Sequence, residues 1–153
     1  MKPLEAIQRF VRGEPLDGFA MSLPPPVATL IGFHPVAAEE GRTVFRLDVR
    51  KEKHANPMGT LHGGILCDLA DAAMGMACAT VLDEGESFTT LELKMNFFRP
   101  VWDATLEARA LVAHRGRSMV YLECEIVTVP EGKLISKSSS SCLVLRGADA
   151  RGR

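Results

Sequence analysis

Residues 56–71 read Asn56-Pro57-Met58-Gly59-Thr60-Leu61-His62-Gly63-Gly64-Ile65-Leu66-Cys67-Asp68-Leu69-Ala70-Asp71. A polar loop and a His-Gly-Gly turn lead into apolar residues at helical spacing: Ile65, Leu66, Leu69, Ala70, Ala73, Met74, Met76 and Ala77. These cover most of a helix's circumference, so the spacing predicts a largely buried helix, ending near Asp83-Glu84-Gly85. Asp68 and Asp71 on such a helix need a reason, because ionisable groups are rarely buried unless paired or used. The glycines permit close backbone approach, and a helix start offers free N–H groups that stabilise a negative oxygen. A carboxylate one or two turns later can handle a water or a proton.

Upstream, Leu4, Ile7, Phe10 and Val11 predict a short amphipathic helix, and Pro24-Pro25-Pro26 breaks the chain after it. Ala28 to Ala38 reads as a first strand, with Pro35 marking an edge or a bulge. After the Glu39-Glu40-Gly41 turn, Phe45, Leu47 and Val49 alternate with Arg46, Asp48 and Arg50 as a second strand. Lys51 to Leu61 reads as a polar loop.

Four strands follow the helix. Leu91, Leu93, Met95 and Phe97, then Ala104, Leu106, Ala108, Ala110 and Val112, then Val120, Leu122, Cys124 and Ile126 alternate with polar residues, and the last strand runs from Lys133 to Leu145. Pro100 ends the first of these, and His114–Arg117 and Pro130–Gly132 are turns. Four consecutive hairpin-linked strands make a curved antiparallel sheet, and the apolar helix fills its concave face, an α+β arrangement. The reading divides the chain into a helical extension (1–23), one sheet-and-helix domain (24–146) and a frayed, disordered tail (147–153).

With 153 residues the chain is long enough for a real core without metals or disulfides. A formal net charge of −1 gives no bulk attraction to nucleic acid or an anionic membrane, so neither is expected as a partner. The N-terminus has scattered charges and no signal-peptide core, and no apolar run is long enough to span a bilayer, which points to the cytoplasm. Cys67, Cys78, Cys124 and Cys142 form no C-x-x-C pair and His34, His54, His62 and His114 are dispersed, so the pattern is one of reduced, mostly buried thiols. No cofactor motif is present, and metal, flavin and nicotinamide are not expected.

The chain resembles the hotdog-fold acyl-CoA thioesterases of the phenylacetate-pathway and aryl-acyl type, over roughly Pro24 to Leu145. The most specific part is Asn56-Pro57-Met58-Gly59-Thr60-Leu61-His62-Gly63-Gly64 with Asp71 nine residues after the histidine. Thr89-Thr90-Leu91-Glu92-Leu93-Lys94-Met95-Asn96-Phe97-Phe98-Arg99-Pro100 matches as the following strand. The resemblance implies a sheet wrapped round the helix and a dimer joined edge to edge. It further implies active sites at the subunit interface and, commonly, a dimer of dimers, a homotetramer.

The substrate class so implied is an aryl- or medium-chain acyl-CoA, and each role has a plainer alternative. Asp71 falls on the family's acidic position, as general base or nucleophile; water activation is the simpler role because it needs no anhydride intermediate. Asp68, nearer the helix start, suits the helix dipole. The Gly63 N–H is the oxyanion donor, although Gly63-Gly64 also permits a tight turn. Asn56 holds the substrate carbonyl or the water, or merely forms a turn before Pro57. His62 belongs to the site, its ring pinning the loop. Thr90 supplies a hydroxyl near the water, or is an ordinary strand residue. Coenzyme A phosphates call for Arg99, Arg115, Arg117 or Lys137, beside Gly64 at the turn. Phe97, Phe98 and Met74 line an acyl pocket or are core. The rival functions are a non-catalytic acyl-CoA sensor, which should lack the acid, and a hotdog hydratase or dehydratase, whose differently spaced motif is not found.

Overall fold

A computed structural model describes residues 1–19 and 21–151. Helix α1 (Pro3–Val11) and a short α2 (Pro26–Ile31) precede strands β1 (His34–Glu39) and β2 (Arg42–Asp48). A four-residue helix, α3 (Lys51–His54), leads to the long α4 (Gly63–Thr80). Strands β3 (Ser87–Phe97), β4 (Thr105–Arg115), β5 (Met119–Val129) and β6 (Leu134–Leu145) follow, and Gly147–Ala150 forms a 3-10 turn where the sequence suggested a frayed tail.

The six strands form one antiparallel sheet in the order β1-β2-β4-β5-β6-β3. Helix α4 lies on its inner face. Leu66, Leu69, Ala70, Ala73, Met74 and Ala77 are buried against a sheet face that includes Leu47, Leu106, Ala108, Leu122 and Ile126. Each large side chain buried there contributes about 1.5–3 kcal/mol, so the face fixes how the helix sits. Met74 is fully buried and belongs to this core rather than to an acyl pocket. No helix among the described residues is long and apolar enough to cross a membrane.

Three details depart from the sequence reading. Ala28–Ile31 is helical, and the first strand begins only at His34, because Gly32 (φ 99°) closes α2 with a left-handed cap. Helix α4 ends at Thr80, one turn before the acidic turn. Strand β3 does not form a hairpin with β4: the Pro100 connector carries the chain across the sheet, and β3 pairs with β6. Pro35 does mark an edge, and the β1–β2 register shifts between Pro35 and Ala37. A second irregularity interrupts the β3–β6 ladder between Thr90 and Glu92, leaving Leu91 out of register.

Candidate active site

Helix α4 and strand β3 run side by side at the open edge of the sheet. A Cβ added to Gly63 would meet two ring carbons of Phe97 at 3.3 Å. One turn on, Cys67 Sγ is 3.9 Å from Met95 Sδ. Next comes Asp71, hydrogen-bonded by the Thr90 side chain. Two turns from Cys67, a Cβ on Gly75 would lie 3.4 Å from Phe88 Cζ. Glycines at 63 and 75 thus let β3 aromatics rest on the helix backbone, and Asp71 sits midway along the seam.

Asp71 and Thr90 are both exposed in the single chain. Asp71 is nevertheless crowded enough that desolvation pushes its carboxyl above the ordinary value, and the nearby charge of Asp68 adds to this. The Thr90 hydrogen bond acts in the opposite direction. A raised carboxylate beside a hydroxyl, on an open groove, is a competent proton acceptor. Thr90 Oγ1 also lies 3.8 Å from Cys142 Sγ, so the buried residue behind the groove steadies its rotamer. Cys67 is a poor nucleophile: burial and the charges of Asp68 and Asp71 all push its thiol up.

At the head of α4, His62 occupies the N-cap without a side-chain cap hydrogen bond. The amides of Gly63 and Gly64 are therefore not covered by a capping side chain and remain available to an oxyanion. Neither glycine has a positive φ. What a side chain would meet is packing: the Phe97 ring at Gly63, and at Gly64 the His62 ring, whose Cδ2 would be 3.2 Å from a Cβ, so that either ring would have to give by a few tenths of an ångström. The His62 ring is folded back over the helix start.

The loop before it is braced from within. Asn56 Oδ1 accepts from the amides of Met58 (3.0 Å) and Thr60 (3.1 Å), and its Nδ2 donates to Thr60 Oγ1 (2.7 Å). The turn-forming role is thus occupied, and only one N–H of Nδ2 is left to face a substrate. His54, merely one of the dispersed histidines in sequence, is 2% exposed and ties three segments together. Its Nδ1 accepts from Arg50 N at 2.9 Å, so Nε2 carries the proton donated to Ile31 O at 2.7 Å. Its carbonyl accepts from His62 N at 2.8 Å, fixing the N-cap. The signal for it was positional, two residues before Asn56, but its partners are distant in sequence or backbone and left no motif.

The basic candidates separate. Arg99 lines a concavity of about 320 Å³ shared with Gly63, Phe97 and Phe98, at the helix start. Phe97 and Phe98 are 53% and 54% exposed, so they border this groove rather than fill the core. Arg115 is instead engaged with Glu86 (3.0 Å) and Gly116 O, and Arg146 reaches Glu86 (2.6 Å) and Arg117 O (2.7 Å). Burial opposes the Glu86 charge, but the Asp83 amide and both guanidiniums outweigh it and hold the carboxyl below its usual range. This cluster lies at the opposite end of β3 from Phe97 and reads as a structural brace. Lys137 stands between Asn96 and Glu125 on β6 and pairs with Glu125 at 3.6 Å. It alternates with the buried Ser136 and Ser138, which places it on the outer face of the sheet, away from Asp71.

The thioesterase superfamily model matches residues 58–135, from the His-Gly-Gly turn into β6. The chain belongs to the thioesterase superfamily. Among proteins similar to it, a putative esterase of Saccharolobus solfataricus is 33% identical over 71% of this chain and 75% of its own length. A 1,4-dihydroxy-2-naphthoyl-CoA hydrolase of Listeria monocytogenes is 31% identical over 66% of this chain and 81% of its own. The structure superposes on a phenylacetic acid degradation protein of Thermus thermophilus with a TM-score of 0.71 and 30% identity, covering 78% of this chain and 98% of that one. The sheet wrapped on a long helix is the hotdog fold that the resemblance implied, and this thioesterase-superfamily chain is a hydrolase by kinship.

Proposed function

We propose that the chain is an acyl-CoA thioesterase that hydrolyses aryl- or medium-chain acyl-CoA to the free acid and coenzyme A, in a site completed by a second copy of itself. The observation that carries this reading is the placement of Gly63 and Asp71 on one helix. Eight residues of α-helix separate them by about 12 Å along the axis. An oxyanion donor and a base acting on one carbonyl must both lie within about 3 Å of the reacting atoms. Gly63 and Asp71 of the same chain cannot serve the same thioester. Gly63 of one protomer and Asp71 of its partner can, if two β3 edges pair antiparallel and bring opposite ends of the two helices together.

In that site Asp71 accepts a proton from water as the water oxygen attacks the thioester carbonyl. The charge that develops on the carbonyl oxygen rests on the Gly63 N–H, with the remaining Asn56 N–H as a second donor. The intermediate collapses by breaking the carbon–sulfur bond, and the departing thiolate takes the proton held by Asp71. Thr90 orients the carboxylate, and Arg99 stands where an anionic coenzyme A passes the helix start.

Asp71→Asn tests the reading. Against a panel of aryl and straight-chain acyl-CoAs, kcat should fall on the order of 10²-fold or more with KM little changed. In the unaltered protein the acid limb of kcat/KM should titrate above the ordinary carboxylate value of about 3.9. Near-normal turnover in the Asn variant would remove Asp71 from the mechanism.

A further inference from the structure

The sequence contains a single tryptophan, Trp102, and it is 61% exposed. An exposed indole of this kind has no core role to explain it, since Val101 beside it supplies the buried contact at 5% exposure. Trp102 lies in the connector between β3 and β4. That connector is hydrogen-bonded on both sides of the indole: Leu61 N donates to Val101 O at 2.7 Å, and Val49 N donates to Ala104 O at 3.0 Å. The ring is thus presented from a fixed backbone and borders a concavity of about 360 Å³ shared with Arg50, Lys51, Glu52 and Asp103. Among the described residues neither Arg50 nor Lys51 is engaged in a salt bridge, unlike Arg46, Arg109, Arg115 and Arg146. Counting Glu52 and Asp103 as well, the rim is charge-balanced, with both cations unspent.

An aromatic face beside two unpaired cations suits a ligand with a flat base and phosphates: stacking holds the base and charge-assisted hydrogen bonds hold the phosphates. The same connector begins at the Gly63 groove, where Arg99 and Phe98 stand, and three residues later reaches Trp102, a span of at most about 10 Å. A chain entering at the thioester can follow the connector outward to the indole. Resting on the thioesterase reading above, we infer that Trp102, with Arg50 and Lys51, seats the adenine nucleotide end of coenzyme A. Arg99 then attends the path between the two ends, while Arg115 and Lys137 take no part.

Because Trp102 is the only tryptophan, its fluorescence reports this place alone. The full chain is titrated with coenzyme A and with adenosine 3′,5′-bisphosphate, and both should change the emission saturably. Trp102→Ala should raise KM for an acyl-CoA about tenfold with kcat held, and should leave the kinetics of the matching acyl-pantetheine, which lacks the nucleotide, unchanged. Arg50→Ala and Lys51→Ala should raise KM for acyl-CoA in a salt-dependent manner. Emission unmoved by saturating coenzyme A while acyl-CoA is still hydrolysed overturns the seat and spares the thioesterase reading. An equal rise in KM for acyl-pantetheine and acyl-CoA also overturns it. Saturable emission change with no hydrolysis of any acyl-CoA supports the seat and overturns the catalytic reading.

Discussion

The two edges of the sheet are built in opposite ways. At one edge, β1 has six residues, begins with a proline-induced irregularity, and is packed by α1, with Gln8 Nε2 donating to Ala38 O at 3.3 Å. At the other, β3 has eleven residues and no strand on its far side among the described residues. Leu91 and Phe97 on this strand, and Phe98 just beyond it, are all more than half exposed. Short, kinked and covered edges are how proteins avoid pairing; a long bare one invites it. The closed edge therefore serves stability. The open edge carries the groove with Asp71, and its exposure in a single chain is what a second copy would end.

The sharpest way to break this contrast is to spoil the open edge alone. Leu91→Lys places a charge where β3 strands would meet, and should convert the protein to monomers in sedimentation while abolishing thioesterase turnover. Active monomers would sink the two-chain site. Nearly as demanding is mixing two inactive variants, Asp71→Asn and Gly63→Val. Random re-pairing of equal amounts makes half the dimers mixed, each with one intact site, so activity should return to about a quarter of the unaltered protein's. No recovery after verified subunit exchange would mean that Gly63 and Asp71 of one and the same chain serve each site, against the two-chain reading.

The closed edge should respond only in stability. Ile7 of α1 is fully buried, and Ile7→Ala should cost about 2–5 kcal/mol in denaturant unfolding while leaving kcat of the folded fraction unchanged. A changed kcat would tie the covered edge to the chemistry. The smallest effect belongs to Asp71 itself. Its carboxyl is raised on folding, so the charged form works against the fold at pH above the folded value, and the penalty vanishes below the unfolded value near about 3.9. Asp71→Asn should accordingly raise Tm slightly at neutral pH, with the gain fading on acidification. A lowered Tm at neutral pH would contradict the shift.

Much of this molecule was legible in its sequence, for reasons that differ by element. Helix α4 and strands β2 to β6 follow from apolar periodicity, a local property that burial enforces. The segment Ala28–Ala38 is ambiguous in sequence because a short apolar run fits a helix or a strand equally, and the left-handed Gly32 that divides it is only a letter there. The pairing of β3 with β6 was invisible because adjacency in sequence favours hairpins. At the site, the Asp71 and Gly63 positions were conspicuous as polar or flexible residues on an apolar helix. The fate of Arg115, drawn to Glu86, and of Asn56, mostly used within its own turn, depended on partners that no spacing announces. His54 carries no sequence motif for the same reason.

The irregularity at Leu91 gives β3 something like a reading frame. Phe88 and Thr90 are even-numbered and Leu93 and Met95 odd, yet Phe88, Leu93 and Met95 pack on the core while Thr90 faces Asp71 and Cys142. Strict alternation cannot put all four on one side; a single additional residue between them can. Losing that residue would leave the two halves of the strand out of phase. Either Thr90 would turn away from the carboxylate, or Met95 and Phe97 would leave the helix. The presence of residue 91 therefore matters to the site separately from its exposed side chain, and the count of residues in this strand is as much a part of the site as any side chain.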